Sequence, residues 1–283
     1  MKRKNYFLLI VCCIFTIQIP GLYANDPTPE QLVADHLKSI GEPDAMSQIK
    51  SIKITGISDV NFIQGMQGNL TGGKATIVSQ GAQMGLSMKF GHLNYPEEHF
   101  AYDGKSVSTA TIHPGHRTPI AEFIRTYNKI MKNGMLGGVF SNAWPLLDVK
   151  SNKPTMRNLR KTKVDDTELY ELEYRPRDNH GDMRIRLYFD PETSRHLRTE
   201  YRIRIQGGVA MTGIMGNTVD TYYTLTEKFA DFKKAGDLTL PHSYTLDYSS
   251  EGDGAAFIAN WKINAQEIVF NPTDIDQSLY KAE

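Results

Sequence analysis

The pattern that most constrains this chain is alternation. In RIRLYFDPETSRHLRTEYRIRI, residues 184–205, Ile185, Leu187 and Phe189 alternate with Arg184, Arg186 and Tyr188. After a turn, Leu197, Tyr201, Ile203 and Ile205 alternate with Arg198, Glu200, Arg202 and Arg204. Period two is the spacing of a strand with one apolar and one wet face. Similar runs occupy 50–62, 69–80, 84–91, 97–103, 106–112, 157–164, 167–176 and 182–190, with more after residue 219. Gly72-Gly73, Asn94-Tyr95-Pro96 and Asp103-Gly104 punctuate them, and YDGKSV suits a tight type I′ hairpin turn. No strand–helix–strand alternation and no linker appears. The chain therefore predicts one mainly antiparallel β domain over residues 25–283. The apolar face covers either a solid core or a cavity.

Two helical segments stand apart from the strands. In TPEQLVADHLKSIG, Thr28, Pro29 and Gln31 spell a capping box, and Gly41 ends the helix. Leu32, Val33, His36, Leu37 and Ile40 share one face, and a short turn, PDAMSQI, follows. Over 118–136, Ile120, Phe123, Ile124, Tyr127, Ile130 and Met131 recur at spacings of three and four, which predicts one helix. Its apolar side either plugs the concave side of the sheet or forms a lid over a greasy pocket.

The N-terminus reads MKRKNYFLLIVCCIFTIQIPGLYAND. It has a basic start, an apolar stretch from Tyr6 to Ile19, and Leu22-Tyr23-Ala24 as a cleavage site. This is the pattern of a secretory signal peptide over 1–24, and the stretch is short for a membrane span. Both cysteines, Cys12 and Cys13, fall inside it, and Val11 before Cys12 does not suit a lipid-acceptor motif. The expected product is an exported, periplasmic chain without cysteine, disulfide or stable membrane span.

Composition removes several classes. With 32 basic and 32 acidic residues the net charge is zero, which argues against electrostatic affinity for nucleic acid or anionic lipid. The arginines of 184–205 then read as a solvated sheet face with Glu173, Asp182 and Glu200 as partners. His113 and His116 lie in HPGH, a turn, without the further ligands of a metal site. No GxSxG, phosphate-binding loop or dinucleotide fingerprint is present. An exported hydrolase would need a Ser or carboxylate pair to meet His92, His99, His113, His180, His196 or His242 in space. The 11 methionines cluster at Met66, Met84 and Met88, at Met131 and Met135, and at Met211 and Met215, as core filler or as an adaptable apolar lining.

Several stretches together resemble a known family. These are YDGKSV, the hairpin YFDPETSRHLRTEY, the run FADFKKAGDLTLPHSYTLDY with Asp231, Phe232, Gly236, Leu240 and Pro241, and the closing WKINAQEIVFNPTDIDQSLYK. In order and turn chemistry they resemble the LolA/LolB-like lipoprotein-carrier superfamily, and GMLGGVFSNAWPLLD resembles an exported subgroup of it. The resemblance implies a strongly curved antiparallel sheet, an incomplete barrel, with helices covering the concave face. It implies a non-catalytic carrier or binding protein for lipid or lipidated protein, without cofactor or metal. The cavity or lid would be formed by Phe123, Ile124, Tyr127, Ile130, Met131, Leu136, Trp144, Leu187, Phe189, Tyr201 and Ile203. The alternative on the same fold is an envelope sensor or protein-interaction module.

Overall fold

The structure, a computed structural model, describes residues 26–177, 181–206, 220–252 and 255–282. The expected signal segment 1–24, His180, Met211 and Met215 lie outside the described residues.

Twelve strands form one antiparallel sheet. They are β1 (Ser51–Gln64), β2 (Gly68–Gln80), β3 (Gln83–His92), β4 (Tyr95–Tyr102), β5 (Val107–Thr109) and β6 (Thr155–Val164). There follow β7 (Thr167–Arg175), β8 (Arg184–Phe189), β9 (His196–Ile205), β10 (Thr221–Ala235), β11 (Leu238–Gly252) and β12 (Ala255–Phe270). The order across the sheet is β5-β4-β3-β2-β1-β12-β11-β10-β9-β8-β7-β6. Among the described residues, neighbouring strands in the sheet are consecutive in the chain except for β1, which pairs with β12. The end strands β5 and β6 do not pair, so the curved sheet is an open barrel.

Alternation decides which face is inside. Ile185, Leu187 and Phe189 of β8 and Tyr201 and Ile203 of β9 point into the core, while Arg184, Arg202 and Arg204 point out. Ile54, Val60, Leu86, Phe100, Leu225, Leu246 and Trp261 bring other strands to the same core. On the outer face Arg157 pairs with Glu173, Arg160 with Glu171, and Arg186 with Glu200. Two of the expected carboxylates, Glu173 and Glu200, are thus partners. The hairpin at Asp103 forms with Asp103 Oδ1 accepting from the Lys105 and Ser106 N–H groups. Only Gly104 in that turn has a positive φ, so it is not the expected type I′.

The concave side is covered by α1 (Pro29–Ile40), α2 (Pro43–Ser47) and the segment 118–152, which contains α3 (Pro119–Thr126), α4 (Lys129–Lys132) and α5 (Val149–Asn152). The capping box of α1 forms, with the Thr28 hydroxyl accepting from Gln31 N–H at 3.2 Å and Gln31 Oε1 accepting from Thr28 N–H at 2.8 Å. Among the described residues no helix is long and apolar enough to cross a membrane.

After β12 the chain crosses the outer face. Its last turn, Gln277–Tyr280, packs with Ile275 on Val78. The Leu279 carbonyl reaches the His99 ring at 3.0 Å and closes on Gly85 of β3, where an added Cβ would lie 2.0 Å from it. Gly85→Ala is expected to push the tail away and cost about 1–3 kcal/mol, seen as a lower urea midpoint. Unchanged stability would mean the tail does not press on β3.

Candidate functional site

The site is built around the strap, residues 118–148, which crosses the concave face. Thr118 caps α3, its hydroxyl accepting from Ala121 N–H at 3.1 Å. Ile120, Ala121, Phe123 and Ile124 turn inward at helical spacing. The continuous helix expected over 118–136 is not formed. Tyr127 leaves the helix at φ −101° and ψ 44°, α4 restarts for four residues, and Gly134, Gly137 and Gly138 have positive φ. The break lets Ile130 and Met131 enter the core on a second short helix, while Gly138 lies too close to the Phe229 ring for any side chain.

Phe123, Ile124, Ile130, Met131, Leu136 and Trp144 from the strap lie in one buried cluster with Leu187, Phe189, Tyr201 and Ile203 from β8 and β9. Tyr127 is half-buried against that cluster. Its ring lies 5.0 Å from Phe123, and Phe123 lies 5.4 Å from Tyr248 of β11. Trp144 stacks near His196 at 5.2 Å and meets His36 of α1 at 5.3 Å. In this conformation the eleven residues pack against one another, with the strap as the filling.

Two buried carboxyl groups, not singled out from the sequence, pin the strap. Glu227 of β10 is fully buried between Leu225 and Phe229. It accepts from the Tyr201 hydroxyl at 2.7 Å, the Tyr244 hydroxyl at 2.6 Å and the Gly137 backbone N–H at 2.6 Å. Glu98 of β4 accepts from the Tyr95 hydroxyl at 2.7 Å, and Trp261 Nε1 donates to that Tyr95 oxygen at 2.7 Å. Glu98 also bonds the side chain of Thr118, the residue that caps α3. Glu98 therefore holds the entry of the strap and Glu227 its glycine turn. Burial pushes each carboxyl up to about 7, against the opposing pull of these hydrogen bonds. The signal in the sequence was a glutamate on the inward parity of each strand.

The described histidines are spread over the molecule. His36 and His196 lie 5.9 Å apart in the core, and burial lowers His36 to about 4 and His196 well below its usual value. His36 Nδ1 lies 3.0 Å from the Ser194 carbonyl oxygen and 3.2 Å from the His196 backbone nitrogen, which ties α1 to the β8–β9 turn. His99 faces the tail, and His113 and His116 bridge each other in their turn. His242 lies against the Leu240 carbonyl. Among the described residues no three His, Cys, Asp or Glu side chains are grouped to hold a metal.

An open apolar pocket lies beside the strap, at the end of the sheet where β1 and β11 begin. It has a volume of about 770 Å³. Leu37 and Ile40 of α1, Met46 of α2, Ile49, Ile52, Val139, Leu147 and Leu238 form its walls, and Lys38, Lys50 and Asp148 its rim. Asn142 also lines it, and its buried side-chain oxygen has no hydrogen-bond partner. None of the eleven residues expected from the sequence lines this pocket. Its walls come from five separate stretches, and PDAMSQI had read only as a turn.

No family model and no curated protein matches the chain. Among solved structures, an outer membrane lipoprotein-sorting domain from Vibrio parahaemolyticus is 14% identical, covering 87% of this chain and 95% of that one, with a TM-score of 0.42. A DUF1329 family protein from Desulfovibrio piger is 10% identical over 88% and 95%, with a TM-score of 0.38. A MucA/MucB complex of Pseudomonas aeruginosa is 9% identical over 85% and 99%, with a TM-score of 0.21.

The two carboxyls set a pH dependence. Their folded pKa, about 7, lies above the unfolded value of 4.5, so the folded chain holds more protons in between and its stability falls as pH rises through that window. The neutral buried histidines act in the opposite sense, because the unfolded chain gains protons below 6.5 and stability falls as pH drops from there. Stability should therefore peak near pH 6. Glu227→Gln should remove about 3 kcal/mol of the loss between about pH 5 and pH 8, read as a flatter urea midpoint against pH. An unchanged slope would show that Glu227 does not titrate there.

Proposed function

We propose that this chain is a non-catalytic carrier or binding protein of the bacterial envelope, exported by residues 1–24, that takes an acyl chain of a lipid or lipidated protein. The observation that carries the proposal is the apolar pocket of about 770 Å³ between α1, α2 and the strap. Pockets of about 300–1,000 Å³ with apolar walls and a few polar groups are the usual form of a small-molecule site. Lys38 and Lys50 at the rim suit an anionic headgroup.

The energetics suit reversible loading. Each buried methylene is worth about 0.8 kcal/mol, so ten give about 8 kcal/mol, near micromolar affinity before the cost of ordering the ligand. Val139 and Asn142 belong to the strap and also wall the pocket. Movement of the strap would therefore join the pocket to the surface formed by Phe123, Ile124, Tyr127, Ile130, Met131, Leu136, Trp144, Leu187, Phe189, Tyr201 and Ile203. We assign that surface to the deep end of the acyl site.

Uptake of a fluorescent fatty acid tests this. Leu37→Glu and Val139→Asp, on opposite walls and both partly exposed, should each weaken binding about tenfold or more while leaving the unfolding midpoint near that of the parent chain. Phe123→Leu should change it far less. No saturable uptake by the parent chain, or uptake indifferent to both wall substitutions, would reject the pocket as the site.

A further inference from the structure

The up-and-down strand order places the β1–β2 and β3–β4 turns, the end of β7, the start of β8 and the end of β9 on one rim of the sheet. This rim is opposite the one that holds the apolar pocket. Three large apolar side chains stand exposed on it: Leu93 at 88%, Ile63 at 61% and Ile205 at 48%. From β3 to β9 is six strand spacings, roughly 29 Å along the sheet. They do not form one compact patch that a single groove-binding peptide would cover.

Arginines stand on the same rim. Arg184 of β8 is directly opposite Arg202 of β9 in the strand register. Arg175 follows Tyr174, which pairs with Ile185, so Arg175 stands opposite Arg184. These three side chains share an outer groove of about 620 Å³ with Arg204 and Tyr222. Elsewhere on this face arginines are matched, as in Arg157–Glu173 and Arg186–Glu200, and Arg204 itself meets Asp220 at 2.5 Å. Arg175, Arg184 and Arg202 form no ion pair with a described residue, although Asp182 lines the groove and Glu251 is opposite Tyr222 in the register.

Like charges directly opposite on adjacent strands cost stability. Within the fold Arg202 lies over the Tyr222 ring at 5.4 Å and Arg175 acts on Glu173 at longer range, so the row is a local excess of positive charge on a chain whose net charge is zero. Guanidinium groups bind phosphate oxygens through paired N–H donors, and scattered apolar tips enter the headgroup layer. The ends of strands in a curved sheet form a rim that can rest on a plane. We infer that this rim docks on an anionic phospholipid bilayer, with Arg175, Arg184 and Arg202 at the phosphates and Leu93, Ile63 and Ile205 inserted. This surface is separate from the acyl pocket and does not depend on it.

The test is co-sedimentation of the purified chain with vesicles of equimolar phosphatidylglycerol and phosphatidylcholine, against phosphatidylcholine alone. All variants share residues 1–25, so any contribution from them cancels. The parent chain should bind the anionic vesicles, and added salt should release it. Joint Arg184→Glu and Arg202→Glu should reduce binding on the order of tenfold or more, and joint Arg184→Lys and Arg202→Lys should retain most of it. Leu93→Asp with Ile63→Asp should weaken binding without removing its salt dependence. Single Arg184→Glu should raise the unfolding temperature while lowering vesicle binding, because it relieves the repulsion with Arg202. Leu37→Glu, which disables the acyl pocket, should leave vesicle binding intact. Equal binding to both vesicle types, or binding indifferent to the double charge reversal, overturns the inference. So does capture of polyglutamate without vesicle binding, which would assign the rim to an acidic protein segment.

Discussion

The structure depends on how an open, curved sheet fills its own concave side. A sheet of this kind exposes a broad apolar face unless something covers it, and here a 31-residue strap of short helices and turns does so. Short helices are marginal alone, so the strap is held by tertiary contacts. Two of these are carboxyl groups whose burial raises their pKa to about 7. Glu98 reaches the N-cap of α3 through Thr118, and Glu227 holds Gly137 by its backbone N–H. A buried polar network of this sort favours one arrangement only while every member is satisfied. The Trp261–Tyr95–Glu98 chain and the Tyr201–Glu227–Tyr244 bridge meet that condition and fix the strap in one register across the sheet.

The same arrangement links the core to the pocket. The strap fills the interior with Phe123, Ile124, Ile130, Met131, Leu136 and Trp144, then turns outward so that Val139 and Asn142 wall the opening beside α1 and α2. The cover is apolar beneath, polar at its pins and open along one edge. Burial under the cover raises both carboxyls to about 7. In the sheet itself every interior strand is paired on both sides.

Much of the fold was legible because strand alternation is a local signal. Ile185, Leu187 and Phe189 could only face one way, and the antiparallel order followed from short turns between consecutive strands. The capping box at Thr28 and Gln31 was legible for the same reason. The strap was less so. Spacings of three and four ran through Tyr127, but the choice between one helix and two was made by the curved floor it had to fill. The pins were visible in principle, as glutamates at inward parity between Leu225 and Phe229 and two residues before Phe100. The pocket was not, since Leu37, Met46, Ile52, Val139 and Leu238 meet only in the folded chain. The arginines of 184–205 read as a paired, solvated face, and the register showed which were matched and which faced one another.

The most direct measurement is native mass spectrometry of the protein purified from a bacterial envelope extract, followed by extraction of whatever it holds. The account requires a stoichiometric acyl-bearing adduct that is displaced by added lysophospholipid. A ligand-free mass, with no adduct formed in excess lysophospholipid, would contradict it and leave the apolar face of the sheet as a packed core alone.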